Sequence, residues 1–280
     1  MLRACERGAN GFAGLREADK RARQGAMGVE LRHAAQLFTV REETKKDFPG
    51  VLRELAKMGW NGVQVSGLQG YDPEEIAAVM RETGLGAAGL HIGLPRLEKE
   101  FDQVVHEARL FGTQDVVCPA LPPELRNEAG FRQLRERLGA LAGRFAEHGL
   151  RLSYHNHAFE FETVVDGQSA LEFLLDPAGG SMILAEIDVY WIARGGRNPV
   201  EFLSAYANRM PLVHLKDMTA DERQTFAEVG EGQLDFHGIL AQCRRSGVQW
   251  YVVEQDQCDG NPMDSLAVSL RNLTRLAAEQ

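Results

Sequence analysis

From about residue 34 to about residue 278 the chain repeats one phrase eight times: a short apolar run, a polar or glycine-containing loop, then a helical pattern closed by Gly or Pro. The apolar runs are Ala34 to Val40, Gly62 to Val65, Ala87 to Ile92, Asp115 to Pro119, Leu150 to His157, Met182 to Asp188, Pro211 to Leu215 and Trp250 to Glu254. Between them lie amphipathic stripes. Phe48, Val51, Leu52, Leu55 and Met58 recur at spacings of three and four before Gly59, and Phe131, Leu134, Leu138, Leu141 and Phe145 do the same before Gly149. Asp72, Pro73 and Glu75 carry the start signal of another helix. Strands that alternate with helices must pair in parallel and be joined by right-handed crossovers. Eight units in roughly 250 residues suit a closed (β/α)8 barrel of the TIM type better than an open sheet. No G-x-G-x-x-G follows the first strand and no G-x-x-x-x-G-K-[ST] occurs, so dinucleotide and P-loop folds lose their main support.

The fold expectation is therefore an α/β single-domain barrel over residues 29–280 with a flexible extension over residues 1–28. That extension has six Arg or Lys against three Asp or Glu, five Gly and no sustained apolar period, and Met27 is a candidate start. A net charge of −9 disfavours nucleic acid as a partner. No apolar run reaches the roughly 18 residues a membrane span needs and no secretory leader is evident, so a cytoplasmic address is expected. Cys5, Cys118, Cys243 and Cys258 are widely spaced and read as reduced thiols rather than a disulfide or zinc framework. A homo-oligomer is compatible with such a chain.

In a parallel barrel the functional groups collect at the carboxyl ends of the strands. Here strand three ends in His91, strand five in His155-Asn156-His157, strand six in Glu186-Ile187-Asp188, strand seven in His214-Leu215-Lys216-Asp217, and strand eight in Glu254-Gln255-Asp256. Side chains alternate across a strand, so His155 and His157 share a face, as do Glu186 and Asp188, and His214 and Lys216. Imidazoles converging with carboxylates make a nitrogen and oxygen site suited to one divalent metal: Mn, Co, Mg, Fe or Zn. Asp188, His214 and Glu254 are the expected ligands. Trp191 is a candidate stacking surface for a sugar ring, Gln64 a further polar contact, and Glu231, between Gly230 and Gly232, a loop residue near the mouth.

These residues resemble the sugar phosphate isomerase/epimerase family, the xylose-isomerase-like TIM barrels, from about Ala35 to Leu276. The resemblance is carried by Gln36 to Arg41, Tyr154 to His157 with Phe159 to Phe161, Asp188 to Trp191, Val213 to Met218, Val229 to Gly232 with Leu234 to Phe236, and Val253 to Asp256. It implies one metal held by Glu, Asp, His and Glu from strands five to eight. Asp188, His214 and Glu254 match the last three, whereas the strand-five position holds His155. In family members of this pattern the strand-five and strand-eight glutamates trade a proton across the substrate, and that exchange loses one partner here. His155 and His157 then share the ligand and acid–base roles between them, with Glu160 and Glu162 as fallback ligands.

The resemblance implies a small carbohydrate or cyclitol substrate and an enediolate formed beside the metal. Glu254 or His157 would move the proton, while Lys216 and His91 would neutralise developing charge. Isomerisation or epimerisation is the leading outcome. Elimination from a keto-sugar or 3-keto-glycoside is the alternative that the missing glutamate favours, and a non-catalytic carbohydrate-binding barrel is a third. A DNA-repair endonuclease also shares the barrel but calls for a basic face that this acidic chain lacks.

Overall fold

The computed structural model describes residues 31–177 and 180–280. The extension expected over residues 1–28, with Met27 and Cys5, lies outside them. Among the described residues two pairs of two-residue strands lie outside the barrel and eight strands form it: β1 (His33–Gln36), β2 (Gly62–Val65), β3 (Gly86–His91), β4 (Asp115–Cys118), β5 (Arg151–His155), β6 (Leu184–Asp188), β7 (Leu212–Leu215) and β8 (Trp250–Val253). They close in the order β1-β8-β7-β6-β5-β4-β3-β2, and every neighbouring pair is parallel. Six of the strands are one to three residues shorter than their apolar runs, while β2 and β3 match theirs in length.

The helices follow the stripes that the sequence shows. The first, α1 (Arg41–Met58), buries Phe48, Val51, Leu52 and Leu55 and ends at Gly59. It is broken near its start: Pro49 has no N–H to donate, Asp47 leaves helical geometry at φ −154°, and its carboxylate caps Gly50 N at 2.9 Å. The second, α2 (Pro73–Thr83), starts as expected, with Asp72 accepting from Glu74 N at 2.9 Å. A short α3 (Leu94–Lys99) precedes α4 (Phe101–Phe111), and α5 (Glu128–Glu147) buries the Phe131-to-Phe145 stripe. Four more complete the ring: α6 (Ala170–Leu175), α7 (Val189–Arg194), α8 (Pro199–Ser204) and α9 (Phe236–Arg245); α10 (Pro262–Ala278) closes it. Among the described residues no helix is long and apolar enough to cross a membrane.

The lower barrel is sealed with apolar side chains. Ala34, Ala88, Val117, Leu212, Trp250 and Val252 form one buried cluster. The Trp250 ring fills space left by two missing side chains, since a Cβ on Gly62 would lie 2.7 Å from it and one on Gly86 3.2 Å. Arg32 caps the ring from below, its guanidinium 3.8 Å from the centroid. At this end the buried Asp115 is paired with Arg151 at 2.9 and 2.7 Å, and the imidazoles of His91, His155 and His214 gather at the other end. In β3 the pairing with β2 slips between Val63/Ala87 and Val65/Leu90, and Gly89 absorbs the extra residue at φ +136°. That bulge sets the side His91 faces, which a strict two-residue alternation does not capture.

Candidate metal and active site

Strand register brings the rim residues together. Asp188 pairs with His214 across β6 and β7, and His155 pairs with Glu186 across β5 and β6. Ligand atoms of His155, Asp188, His214 and Glu254 all lie within 4.8 Å of one another, and all four residues are buried. His214 Nδ1 is 3.1 Å from Glu254 Oε2 and 3.9 Å from Asp188 Oδ2, and His155 Nε2 is 3.9 Å from the same Asp188 oxygen. The other Asp188 oxygen caps α7, accepting from Tyr190 N and Trp191 N at 3.0 and 3.2 Å. Asn156 steadies the strand end by accepting from Asp188 N at 2.9 Å.

Lys216, 1% exposed, stands among three carboxylates: 3.0 Å from Asp188 Oδ2, 2.7 Å from Glu254 Oε2 and 2.7 Å from Asp256 Oδ2. Burial opposes its charge, but those carboxylates outweigh burial and hold the ammonium well above its ordinary pKa. Burial likewise opposes the Glu254 anion, and Lys216 and His214 overcome it to hold the carboxylate well below its ordinary value. Burial pushes Asp188 up to about 6 against the pull of Lys216 and His214. It also holds the His155 imidazole well below the usual range, and with Lys216 brings His157 down to about 3. At neutral pH His157 is therefore an uncharged ring able to accept a proton or a hydrogen bond.

Asp188 Oδ2 is buried and makes no hydrogen bond of good geometry; the Lys216 ammonium lies 3.0 Å from it, and the two imidazoles and Glu254 meet beside it. Two imidazole nitrogens and two carboxylates make a donor set that fits one hard-to-borderline divalent cation, which would take the place of the ammonium on these oxygens.

The remaining candidates fall in three places. His91 and Gln64 lie beneath the rim: His91 Nε2 is 2.6 Å from Glu186 Oε2, and the Gln64 amide donates to Glu186 Oε1 at 2.5 Å while its oxygen meets His214 Nε2 at 2.7 Å. Gln64 is fully buried, so its polar atoms serve this network rather than the mouth. His157 and Trp191 stand at the mouth, with ring centroids 5.5 Å apart and Lys216 Nζ 5.7 Å from the Trp191 ring. Glu231 turns outward, exposed and bonded to Asn272 of α10 at 2.7 Å. The glycines beside it serve the turn. Asp217 accepts from the backbone N–H groups of Gly230, Gly232 and Leu234 at 3.0, 2.9 and 3.1 Å, and a Cβ on Gly232 would lie 2.4 Å from that carboxylate.

The fallback carboxylates are directed elsewhere. Glu162 is exposed. Glu160 is fully buried and accepts from the Tyr154 hydroxyl and from His157 N, both at 2.8 Å, which fixes the loop after β5. Burial raises its carboxyl from 4.5 to about 8. The folded chain thus keeps a proton that the unfolded chain releases near its ordinary pKa, so stability falls as pH rises from about 5 to about 8. Thermal melts across that window should show the fall, and Glu160→Gln, which keeps the neutral shape, should flatten it. Equal slopes in both proteins would mean that Glu160 is ionised throughout.

Four residues escaped sequence reasoning as parts of the site: Glu186, noticed only for its parity with Asp188, Gln36, Asp256 and Phe226. Gln36 ends β1 and donates to Gln64 Oε1 at 2.6 Å. Phe226 comes from a two-residue strand that no apolar run announces, and its ring centroid lies 5.9 Å from Lys216 Nζ.

Comparison with known proteins agrees with this architecture. The family described as xylose isomerase-like TIM barrel matches residues 52–276. An inosose dehydratase of Geobacillus kaustophilus is 27% identical over 247 residues, covering 74% of this chain and 79% of its own. A sugar phosphate isomerase/epimerase from Parabacteroides distasonis superposes with a TM-score of 0.76 at 20% identity, over 89% of this chain and 96% of its own. The IolI protein, solved with a bound zinc atom, superposes at a TM-score of 0.69 and 12% identity, over 89% of this chain and 99% of its own.

Proposed function

The chain belongs to the xylose isomerase-like TIM barrel family, and on that premise we propose that it is a divalent-metal-dependent lyase that removes water from a keto-cyclitol or keto-sugar. The observation that carries this reading is an asymmetry of bases. β8 offers Glu254 as a buried carboxylate beside Lys216, whereas the corresponding place on β5 holds the His155 imidazole, with Nδ1 3.2 Å from Glu186 Oε2. One carboxylate base suffices for elimination; epimerisation through two opposed carboxylates needs a second. The similarity to an inosose dehydratase supports the same choice.

His155, Asp188, His214 and Glu254 are the proposed ligands, and the cation they would hold supplies Lewis-acid polarisation of adjacent carbonyl and hydroxyl oxygens, worth several kcal/mol. Glu254, kept ionised by Lys216, takes the proton from the carbon next to the carbonyl. The C–H electron pair becomes the double bond of an enediolate, and the Lys216 ammonium stabilises the negative charge gathering on oxygen. Collapse of that electron pair expels the hydroxyl on the β carbon. It leaves as water with the proton that Glu254 took, so the carboxylate is regenerated. Uncharged His157 accepts a hydrogen bond from a ring hydroxyl, and Trp191 packs on the apolar face of the ring. His91 and Gln64 support the histidines from below.

Aldose–ketose isomerisation or epimerisation is the second reading, favoured by the neutral imidazole of His157 at the mouth, which can act as the other base. Incubating inososes, ketoses and 3-keto-glycosides with the protein and Mn²⁺ in deuterated water separates the two. Loss of one water from an inosose, or of the aglycone alcohol from a 3-keto-glycoside, whose β carbon C1 carries that group and no hydroxyl, is the expected result. Deuterium incorporation with every hydroxyl retained overturns the lyase in favour of isomerisation or epimerisation.

A further inference from the structure

The four-residue rim cluster has a counterpart one layer down: ligand atoms of His91, His155, Glu186 and His214 also lie within 4.8 Å of one another. The two groups share both histidines. Glu186 comes two residues before Asp188 on β6 and so lies about 6–7 Å deeper along the strand. It is fully buried, and its oxygens are surrounded. Oε1 accepts from the Gln64 amide at 2.5 Å. Oε2 faces three ring nitrogens: His91 Nε2 at 2.6 Å, His155 Nδ1 at 3.2 Å and His214 Nε2 at 3.3 Å. His214 Nε2 also meets Gln64 Oε1 at 2.7 Å, an oxygen that already accepts from Gln36. The inner nitrogen of His214 is thus hydrogen-bonded to Gln64, and that of His155, which makes no hydrogen bond of good geometry, has the Glu186 carboxylate beside it at 3.2 Å.

A neutral imidazole carries one N–H, and an acceptor on one side leaves the lone pair on the other. We infer that Glu186 is a positioning carboxylate that, with Gln64, draws the N–H of His155 and His214 inward and presents Nε2 of His155 and Nδ1 of His214 to the ion; this rests on the metal reading above. The lower cluster is thus the support of the site and not a second site. For Glu186 to ligate an ion, it would have to give up the Gln64 and His91 contacts, and the two shared rings would have to turn their N–H groups toward Asp188 and Glu254.

Zinc-loaded protein with ¹⁵N-labelled histidine tests this directly, because long-range ¹H–¹⁵N spectra distinguish the metal-bound ring nitrogen from the protonated one. The expected wild-type result is one Zn²⁺ per chain, held through Nε2 of His155 and Nδ1 of His214. In Glu186→Gln an amide N–H replaces one acceptor, so zinc affinity should fall about 10–100-fold and the histidine pattern should change, with the circular dichroism of the metal-free chain retained. Ligation through Nδ1 of His155, or uptake of a second zinc, overturns the inference, as does a Glu186→Gln protein of unaltered affinity and spectrum. The wild-type spectrum decides the matter if the variant does not fold. A wild-type chain that takes up no zinc at all overturns the metal reading itself, and this inference with it.

Discussion

Asp188→Asn is expected to weaken divalent-cation binding by about a thousandfold, equivalent to about 4 kcal/mol, and to abolish turnover while the barrel stays folded. Alanine would be a blunter test, because Asp188 Oδ1 also caps α7 through Tyr190 N and Trp191 N, and losing a cap costs about 1 kcal/mol on its own. Asparagine keeps an acceptor for those two N–H groups. What changes is the other arm, where Oδ2, now 3.0 Å from the Lys216 ammonium, becomes an amide donor facing that ammonium and the place a cation would take. Titration with Mn²⁺ followed by calorimetry, alongside far-UV circular dichroism, reads both effects. Full-rate turnover with an intact metal isotherm would remove Asp188 from the site.

The second large effect concerns Lys216. Replacing it with Met removes the ammonium from among Asp188, Glu254 and Asp256, all within 3.0 Å of Nζ, and leaves buried anions facing one another. Breaking a buried charge pair by deleting one partner typically costs about 3–5 kcal/mol. For a domain of this size that corresponds to a fall of roughly 6–20 °C in melting temperature. The same substitution removes a positive charge that competes with a bound cation for the same oxygens. Mn²⁺ should therefore raise the melting temperature of Lys216→Met by more than it raises that of the wild type, because stabilisation grows with the ratio of ligand to Kd. Activity should nevertheless be lost, since the ammonium that stabilises the charge forming on substrate oxygen is gone. A variant that melts with the wild type in chelator, or that gains less from Mn²⁺, contradicts this account.

These two residues illustrate what was legible beforehand. Asp188 closes an apolar run and Lys216 directly follows one, and the run itself states which end of which strand carries them. Glu186 sits in the same run as Asp188 and on the same face, but nothing local distinguishes a carboxylate at the rim from one a layer beneath it. His155 could be assigned to the interior by alternation, although its orientation toward Glu186 depends on a neighbouring strand. Gln64 and Glu231 show the opposite failing. Each is polar and stands near a strand end or loop, yet Gln64 is enclosed by Gln36, Glu186 and His214, while Glu231 faces outward toward α10.

The amino-acid pattern alone determined the barrel, the order of its elements and the end at which polar chemistry gathers. Those properties follow from periodicities of two and of about 3.6 residues, which act over a few neighbours and can be read one segment at a time. Tertiary structure alone decided which nitrogen of each histidine faces the rim, that Glu160 fastens a loop, that Asp217 holds the glycine turn, and that Glu186 lies under the site. Such outcomes are set by hydrogen bonds between residues far apart in the chain, 122 positions for Gln64 and Glu186 and 150 for Gln64 and His214. A buried donor must find whichever acceptor closure of the barrel brings beside it, and that neighbour is fixed by strand register and by the bulge at Gly89, neither of which any single segment specifies.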